Sequence, residues 1–435
     1  MTALTENQKI THLLNRLSFG PTPEDIEVVK SKGIVPYLEE QLEPEKIHDR
    51  VVDAKLAKLK TLRLSSHELL DFYPPRQKVK AMGLERPPLQ GSRYVIRELQ
   101  QAKLLRAVYS RRQLYEVMVD FWTNHFNVFA AKGADRWLIT AYDRDTIRPR
   151  ALGRFRDLLL ATAQSPAMLF YLDNWLSVGA ALKPPSSDAT LRRGINENYA
   201  RELMELHTLS VDGGYTQKDV GEAARCFTGW TIRRTYEQPE FVFESRFHDH
   251  GKKLVLGSRI PAGGEIEDGL KIIDLLARHP ATARFIATKL VRRFVSDDPP
   301  SSLVARVAGV FLDSDGDIKE ALRAVVNSPE FFSPAAVGTK VKKPLEFVAS
   351  ALRFAGAETD ASPGLLGHLE RMGEPLFLAE PPTGFPDFGA AWTSPDMLLA
   401  RINFAIDFSS NRIPGTKIDA ATPAAHFVAP EFQRR

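Results

Sequence analysis

The chain has 435 residues, of which 43% are hydrophobic and 26% are charged, and its formal net charge is +4. These values are typical of a soluble globular protein that can bury a sizeable core. A basic excess this small, spread along the chain, gives no support for nucleic acid as a partner. The single cysteine, Cys226, excludes an intramolecular disulfide and a cysteine-based zinc cluster.

Targeting signals are not evident in the sequence as written. The N-terminal residues lack a basic stretch followed by an apolar run, so we expect no signal peptide. No window holds about 18 uninterrupted apolar residues, so we expect no transmembrane helix. The expected location is the cytoplasm. Removal of a leader, or export together with a partner, would instead place the protein in the periplasm.

Helical periodicity dominates the chain. Apolar residues recur at spacings of three and four in residues 5–17, 23–43, 92–129, 136–164, 196–209, 217–228, 266–279, 280–296, 301–313, 317–328, 342–356 and 394–408. Thr22 before Pro23 is typical of a helix N-cap. Asp317 is interpreted as another cap, because the stretch around it lacks the terminal glutamate of a calcium loop.

One region has the alternating pattern of strands. Residues 230–235 and 241–245 predict two strands with a turn at 237–240, and residues 253–256 are a candidate third strand. The predicted fold class is mainly α: one large multi-helix body with a small β-hairpin or three-stranded excursion around 230–257.

The predicted organisation is a single helical domain over residues 1–410, followed by a surface tail at 411–435. Within the domain we distinguish a motif core at 110–230, the β excursion at 230–257 and C-terminal helices at 265–410. Loops at 72–92 and 177–195 interrupt the helices. The second loop is rich in glycine, proline and serine and leads directly into the central polar motif, so we predict that it is a lid.

Two segments of the chain resemble each other. Residues 155–169 align without gaps on residues 318–332, and each predicts an amphipathic helix ended by Ser-Pro. The similarity could record a duplication, or the same way of ending a helix could have arisen twice.

The richest polar motif is residues 196–215. On a helix with about 100° per residue, Asn198, Glu202 and Glu205 fall within about 60° of one another. They are candidate ligands for Mg²⁺, Ca²⁺ or Mn²⁺, or the two glutamates are a carboxylate pair for acid–base chemistry. Alternatively, Glu197, Arg201 and Glu205 have the spacing of a surface salt-bridge ladder. Gly213 and Gly214 predict the end of the helix just before Tyr215.

A second polar stripe lies on the predicted helix at 110–129, where Glu116, Asp120, Asn124 and Asn127 share one face. His125 lies on the apolar side of this helix, and His207 lies on the apolar side of the central one. A histidine in that position is typically a core residue with one hydrogen bond. The alternative is that the two histidines meet as metal ligands or as an acid–base pair.

Other candidates are more isolated. Asp173 ends a helix beside the predicted lid and is either a catalytic carboxylate or a cap. His248 and Asp249 follow the predicted strands as a polar rim or a weak metal motif. Trp122, Trp137, Trp175 and Trp230 lie in or near the polar motifs, either as sugar-stacking rings or as core residues.

These motifs together resemble the bacterial "domain of unknown function 1800" family. The matching stretches are residues 12–23, 120–126, 155–160, 165–174, 196–215, 221–230, 248–249, 328–332 and 343–348. The resemblance implies a mostly helical protein, often exported, with a sulfatase-like protein as a candidate partner. It also implies that phenylalanine can replace His207 in similar proteins, and that the acidic face and Arg201 belong to the family motif.

Two functional hypotheses follow. In the first, helices at 110–129, 196–209 and 217–230 form one polar pocket roofed by 177–195, and the protein is a hydrolase or lyase for a polar, glycan-like substrate. Its acid–base or metal-binding residues would be Glu202 and Glu205, with Asp173 as a second acid and Arg201 stabilising an anion. Its substrate-binding residues would be Asp120, Trp122, Asn124, Asn198, Tyr215 and Trp230. In the second hypothesis, the protein is a non-enzymatic binding or assembly partner of the sulfatase-like protein, and the motifs form a buried structural network.

Overall fold

Helices form most of the chain, as predicted. The structure, a computed structural model, describes residues 4–75, 79, 91–179, 194–419 and 422–435. Within these residues the α-helices are Glu6–Leu17, Pro23–Lys32, Ile34–Gln41, Arg50–Leu56, Ser66–Phe72, Gly91–Tyr109, Gln113–His125, Asp135–Ala141, Phe155–Ala163, Pro166–Tyr171, Glu197–Glu202, Gln217–Cys226, Ile266–Ala277, Pro280–Phe294, Ser301–Asp313, Ile318–Val326, Pro344–Phe354, Pro363–Arg371, Pro395–Ser409 and Ala424–Val428. Turns of 3₁₀ helix occupy Pro44–Lys46, Lys60–Arg63, Arg148–Arg150, Asn174–Leu176, Ser245–Phe247 and Gly389–Trp392. Tyr142–Ile147 and Leu203–Thr208 are π-helical.

The predicted helix caps are confirmed. Thr22 accepts the N–H of Asp25, and the Asp25 carboxylate accepts the N–H of Thr22, which makes a reciprocal capping box. The Asp317 carboxylate accepts the N–H groups of Lys319 and Glu320 at 2.8 and 3.2 Å. Each cap satisfies N–H groups that the helix itself leaves unpaired, and it stabilises its helix by about 1 kcal/mol.

Two long predicted helices are each broken in the structure. The run at 23–43 ends its first helix at Gly33, whose φ of 88° requires glycine. The run at 92–129 breaks after Tyr109, because the Asp49 carboxylate accepts the Ser110 hydroxyl at 2.5 Å and the Arg111 N–H at 2.9 Å. A side chain about 60 residues away in the sequence thus replaces the bonds that would have continued the helix.

The strands form hairpins. Trp230–Arg233 pairs antiparallel with Glu240–Phe243, which confirms the predicted hairpin. The expected third strand does not join it: Lys253–Val255 pairs instead with Ser258–Ile260 as a second hairpin. Gly257, with φ of 77°, lies in the tight turn between these two strands. A third pair joins Glu358–Thr359 to Thr416–Lys417.

One hydrophobic cluster connects the described part of the chain from Ile10 to Phe427. A smaller cluster consists of Leu69, Leu70, Val95 and Trp137. Trp122 and Trp230 are completely buried. Among the described residues, no helix combines the length and the apolar character needed to cross a lipid bilayer.

Residues 411–435, expected on the surface, contribute to the interior. Ile413, Ile418 and Phe427 are buried. Val341 and Arg434 form an antiparallel bridge, and the Arg435 N–H donates to the Lys340 carbonyl at 2.8 Å. The segment is therefore held by side-chain burial and by backbone hydrogen bonds.

The two similar segments meet at their N-terminal ends. The Phe155 N–H donates to the Gly316 carbonyl at 2.9 Å, and the Ile318 N–H donates to the Gly153 carbonyl at 3.1 Å. Phe155 and Ile318 are equivalent in the sequence alignment, and each bonds the residue two positions before the other. This reciprocal pairing is the usual pattern of an antiparallel bridge, here between Arg154 and Asp317, so it does not decide between a duplication and a helix ending that arose twice.

Candidate functional site

The central helix is fixed at its start by amide side chains. Asn196 Oδ1 accepts the Asn198 N–H at 2.8 Å, which caps the Glu197–Glu202 helix. Asn196 Nδ2 donates to the Leu172 carbonyl at 3.2 Å, and Asn198 Nδ2 lies 3.5 Å from the same oxygen. These contacts bring the start of the helix beside Asp173.

The second half of the central motif is a π-helical turn over Leu203–Thr208. The Leu209 N–H donates to the Met204 carbonyl at 2.7 Å, and the Thr208 hydroxyl donates to the Leu203 carbonyl at 2.7 Å. Bonds to the fifth preceding residue widen the helix, so side chains after Leu203 point in directions that a regular α-helix would not give. Glu205 lies within this turn.

Glu202 and Glu205 form a half-buried carboxylate pair. Burial raises the pKa of Glu202, the negative charge of Glu205 raises it further, and Arg201 opposes the shift. The Tyr215 hydroxyl donates to Glu205 Oε2 at 3.1 Å. The two carboxyl groups therefore have different surroundings, and Glu202 is the one that burial and charge favour in its protonated form.

The turn after the helix positions Tyr215. Gly214 has φ of 80°, and a Cβ added to Gly213 would collide with the backbone and side chain of Leu209. Two glycines are thus required for the chain to reverse tightly enough to return the Tyr215 hydroxyl to Glu205.

The salt-bridge ladder is only half formed. Arg201 Nη2 lies 3.4 Å from Glu197 Oε2 and donates to Gln217 Oε1 at 2.8 Å. Glu205 bonds Tyr215 instead. The ladder therefore accounts for Glu197 and Arg201, and it leaves Glu205 free of a basic partner among the described side chains.

Asp173 lies in the left-handed conformation, with φ of 59°. Its two carboxylate oxygens each accept from Lys132 Nζ at 2.9 Å, and its side chain is 46% exposed. Asp173 therefore forms a solvent-accessible ion pair with Lys132. It follows directly after Leu172, whose carbonyl accepts the hydrogen bond from Asn196.

The second polar stripe is buried and bonds other protein groups, except that Asp120 Oδ2 has no hydrogen-bond partner within the described residues. Asp120 lies 2.6 Å from Lys103 Nζ and 3.6 Å from Lys343 Nζ. Burial alone would raise the pKa of Asp120, but the combined attraction of these two ammonium groups holds it well below its usual range. Asn124 exchanges two hydrogen bonds with the backbone of Phe385, at 2.9 and 2.7 Å.

The predicted substrate-binding tryptophans have no accessible ring face. Trp122 is completely buried and donates to the Ala151 carbonyl at 3.0 Å. Trp230 is also completely buried, with Phe227 and Phe241 packed against its ring. A sugar has no route to either ring in this fold, so both are core residues.

His125 and His207 do meet, but through the backbone. His125 Nε2 lies 3.1 Å from the His207 carbonyl, and the ring centroids are 6.2 Å apart. Burial lowers the pKa of His207 to about 3 and that of His125 well below its usual value, and the nearby Lys289 lowers both further. Both rings are therefore neutral at pH 7.

His248 and Asp249 lie in a polar network rather than on a rim. His248 is buried, with Nδ1 2.7 Å from the Thr228 carbonyl and Nε2 3.3 Å from Asp268 Oδ2. Asp249 accepts two hydrogen bonds from Arg225, at 3.0 and 2.9 Å. Within the described residues, no three His, Cys, Asp or Glu side chains are arranged to hold a metal ion.

Comparison with protein families decides the relationship of the chain. The sequence model of the family described as "Protein of unknown function (DUF1800)" matches residues 12–433. The chain belongs to the DUF1800 family. Comparisons with curated proteins and with solved structures find no match.

In this DUF1800 protein the candidate residues separate into two groups. Glu202, Glu205 and Tyr215 form one group, close to Asp173 through the Asn196 contact. Asp120 and Asn124 form hydrogen bonds and ion pairs with a different set of partners. The prediction of one pocket shared by both polar motifs is therefore not supported, because the Asp120 stripe faces a buried charge network. The predicted lid lies mostly at 180–193, outside the described residues.

Three side chains near the candidate site were not predicted from the sequence: Lys132, Asp135 and Tyr171. Lys132 binds Asp173. Burial raises the pKa of Asp135 well above its usual value, and neither carboxyl oxygen has a hydrogen-bond partner within the described residues. Burial also raises the pKa of Tyr171, and the charges of Asp135 and Glu202 add to the shift. Tyr171 lies in the matching stretch 165–174, but no sequence pattern connects it with Lys132 and Asp135, because their proximity depends on tertiary packing.

Proposed function

We propose that this DUF1800 protein is an enzyme that uses Glu202 and Glu205 as an acid–base pair on a polar, glycan-like substrate. The observation that carries the proposal is the unequal environment of two neighbouring carboxyl groups. Burial and the charge of Glu205 favour the protonated form of Glu202, whereas Glu205 accepts a hydrogen bond from Tyr215. A carboxyl group whose pKa is raised by burial and by a neighbouring negative charge is a common general acid in enzymes.

The chemistry assigned to the pair is hydrolysis or elimination. In hydrolysis, Glu202 would donate its proton to the leaving oxygen while Glu205 takes a proton from the attacking water. In elimination, Glu205 would take a proton from carbon, and Glu202 would protonate the leaving oxygen as the double bond forms. In both reactions the proton lost by Glu202 is matched by the one that Glu205 gains.

Neighbouring groups are assigned supporting roles. Arg201 is only partly engaged with Glu197, so its guanidinium is available to a substrate anion. Asn198 is exposed and can bind a hydroxyl group. Asp173 is an accessible second acid, although it must first separate from Lys132. Trp122 and Trp230 have no part in this proposal because they are buried.

The test is a substrate screen with wild-type protein and the variants Glu202→Gln and Glu205→Gln. Release of reducing ends reports hydrolysis of polysaccharides, and ultraviolet absorbance of an unsaturated product reports elimination. We expect each variant to lose about 10²–10⁴-fold in rate. Glu244→Gln is the matched control, because Glu244 is a half-buried glutamate 3.4 Å from an arginine side chain, Arg246. Elemental analysis of the same preparations tests whether Asn198, Glu202 and Glu205 hold Mg²⁺, Ca²⁺ or Mn²⁺.

A stability measurement tests the pair without a substrate. The pKa of Glu202 is raised in the folded protein above its unfolded value of about 4.3, so the folded state binds more protons and loses stability as pH rises through this window. Glu202→Gln has no carboxyl group to titrate, so it does not lose this stability. Its melting temperature should therefore exceed that of wild type at pH values above the raised pKa of Glu202. Unchanged activity and an unchanged pH profile in both variants would refute the site.

The second candidate function is that of a binding or assembly partner of a sulfatase-like protein. The Asp120 network favours it, because Asp120 and Lys343 are buried, Lys103 is mostly buried, and their ion pairs join separate parts of the fold. Co-purification with a sulfatase-like protein, unaffected by Glu202→Gln and Glu205→Gln, would support this function over the enzyme. Retained activity in the isolated wild-type protein would contradict it.

A further inference from the structure

A small cationic cavity lies apart from the carboxylate pair. Its volume is about 20 Å³, and its wall includes Arg293, Lys340, Lys343, Asp387 and Arg435. Phe388, which is 50% exposed, lies at its edge and leaves a route to solvent. We propose that this cavity is a binding site for a small inorganic anion, a halide or one face of an oxyanion such as sulfate or phosphate. The proposal is independent of the function assigned to Glu202 and Glu205.

The size of the cavity suits a small ligand. A cavity volume of roughly 10–15 Å³ is just enough to hold one water molecule. The observed 20 Å³ therefore admits one compact ion without rearrangement of the walls. A larger oxyanion would place part of its volume toward the opening beside Phe388.

The guanidinium groups in the wall have N–H donors to spare. Arg293 and Arg435 are 7% and 5% exposed. Each has Nη2 3.0 Å from Glu346 Oε1, but that oxygen lies off the N–H directions. Within the described part of the chain, Nε, Nη1 and Nη2 of Arg293 and Nε and Nη1 of Arg435 have no aligned acceptor. Buried donors without acceptors are costly, and a bound anion would supply the missing acceptors.

Each nearby carboxylate already lies beside a basic side chain, although Glu346 Oε1 has no aligned N–H donor within the described residues. Glu346 Oε2 accepts the Lys343 N–H at 2.9 Å, and its other oxygen lies between Arg293 and Arg435. Asp297 is paired with Lys340 and accepts the Gly389 N–H at 2.7 Å. Asp387 Oδ2 lies 3.3 Å from Lys289 Nζ.

A further arginine, Arg16, lies close enough to Arg293 for the two positive charges to repel each other. Burial lowers the pKa of Arg16 to about 9, and repulsion from Arg293 contributes to the shift while Glu346 and Asp297 oppose it. An anion bound beside Arg293 would relieve this repulsion. Forked guanidinium donors suit oxyanions in particular, because two parallel N–H groups match two oxygens.

The experiment measures anion binding by the purified full-length chain. Sodium bromide, sodium sulfate and sodium phosphate are titrated separately by calorimetry and thermal unfolding, with ionic strength held constant by a bulky organic anion. We expect a saturable rise in melting temperature with at least one of the three. A general salting-out effect would instead increase without saturation and would be the same in every variant.

Arg293→Gln is the diagnostic variant, and Arg306→Gln is its control. We expect Arg293→Gln to weaken the anion affinity about 30-fold or more, since it removes a buried charged donor. Arg306 makes an exposed ion pair with Glu330, so Arg306→Gln changes the net charge equally and should leave the affinity unchanged. Equal affinity in wild type and a folded Arg293→Gln protein would overturn the proposal.

A crystallographic measurement keeps the proposal testable if Arg293→Gln does not fold. Wild-type crystals are grown with bromide or with selenate, a heavier analogue of sulfate, at the concentration that saturates the thermal shift. An anomalous peak within hydrogen-bonding distance of Arg293 and Arg435 would support the site. Peaks only at other positions, or an empty cavity at saturation, would overturn it.

Discussion

At the scale of single residues, burial decides the charge of the histidines. His207 packs against the ring of Phe126 at 5.1 Å and is completely surrounded by protein. Its pKa of about 3 in the folded protein is below the unfolded value of about 6.5, so the unfolded chain binds the additional proton. The folded state is therefore favoured above about pH 6.5 and loses stability as pH falls toward about 3.

The residue-scale prediction is that His207→Phe makes the protein more resistant to acid. Phenylalanine keeps an aromatic ring in the site and has no proton to bind. As the pH falls from 8 to 4, we expect the free energy of unfolding of His207→Phe to increase relative to that of wild type by on the order of 3 kcal/mol. Urea unfolding at the two pH values measures it. His48→Phe, at an exposed position, should show no such gain, and an identical pH dependence in wild type and His207→Phe would contradict the prediction.

Only part of the site could be predicted from residue patterns. Two acidic stripes with similar spacing look equivalent in the sequence, yet Asp120 is neutralised by Lys103 and Lys343 whereas Glu202 has no ion pair within the described residues. One partner of Asp120, Lys103, lies on the preceding helix, and the other, Lys343, lies more than 200 positions away in the sequence. No local pattern shows where those lysines lie.

At the scale of elements, regular helices were predictable and the irregular turns were not. Thr22 and Asp317 signal their helices because cap chemistry is local. The π-helical turn at Leu203–Thr208 has no comparable signal, so an α-helical projection misplaces Glu205 relative to Asn198. The alternation of apolar and polar residues predicted where the strands lie. It did not predict the partner of Lys253–Val255, because that pairing depends on the turn that follows this strand.

The element-scale prediction is that Thr208→Val destabilises the π-helical turn. The Thr208 hydroxyl bonds the Leu203 carbonyl at 2.7 Å, and valine has the same shape without that donor. We expect a loss of about 1 kcal/mol in the free energy of unfolding.

Thr162→Val provides the matched control for this measurement. Thr162 is equally buried and bonds the Leu159 carbonyl at 2.8 Å, but it does so in a regular α-helix whose carbonyls already accept N–H groups. Chemical denaturation of both variants measures the difference. A loss in Thr162→Val as large as that in Thr208→Val would mean that the hydroxyl has no special role in the π turn.

At the scale of the whole molecule, the segment at 411–435 contributes to stability. The side chain of Phe427 is completely buried and contacts Phe408 and Phe432 at ring separations of 5.3 and 5.2 Å. The sequence predicts a surface tail here, because the apolar side chains of this segment are too far apart to form a periodic pattern. The burial of single, widely spaced apolar side chains can be predicted only when the surface against which they pack is known.

The whole-molecule prediction is that Phe427→Ala costs about 3–5 kcal/mol, the usual loss for a buried phenylalanine. Phe354 belongs to the same aromatic group but is 44% exposed, so Phe354→Ala should cost less than half as much. Thermal and chemical unfolding measure both. Equal losses, or a negligible loss in Phe427→Ala, would show that the segment is only loosely attached.

Contacts in and near the cationic cavity also constrain how the protein folds. Arg16 donates to the Ala336 carbonyl, 320 positions away in sequence, and Arg435 closes the cavity beside Arg293. Before residues so far apart in the sequence can make stabilising contacts, a large loop must close. The entropy lost in closing that loop slows folding. During synthesis on the ribosome, the Glu6–Leu17 helix and its Arg16 must wait for partners that are made much later. We therefore expect the nascent chain to expose an unfinished core until these later segments are made, which favours aggregation in the meantime.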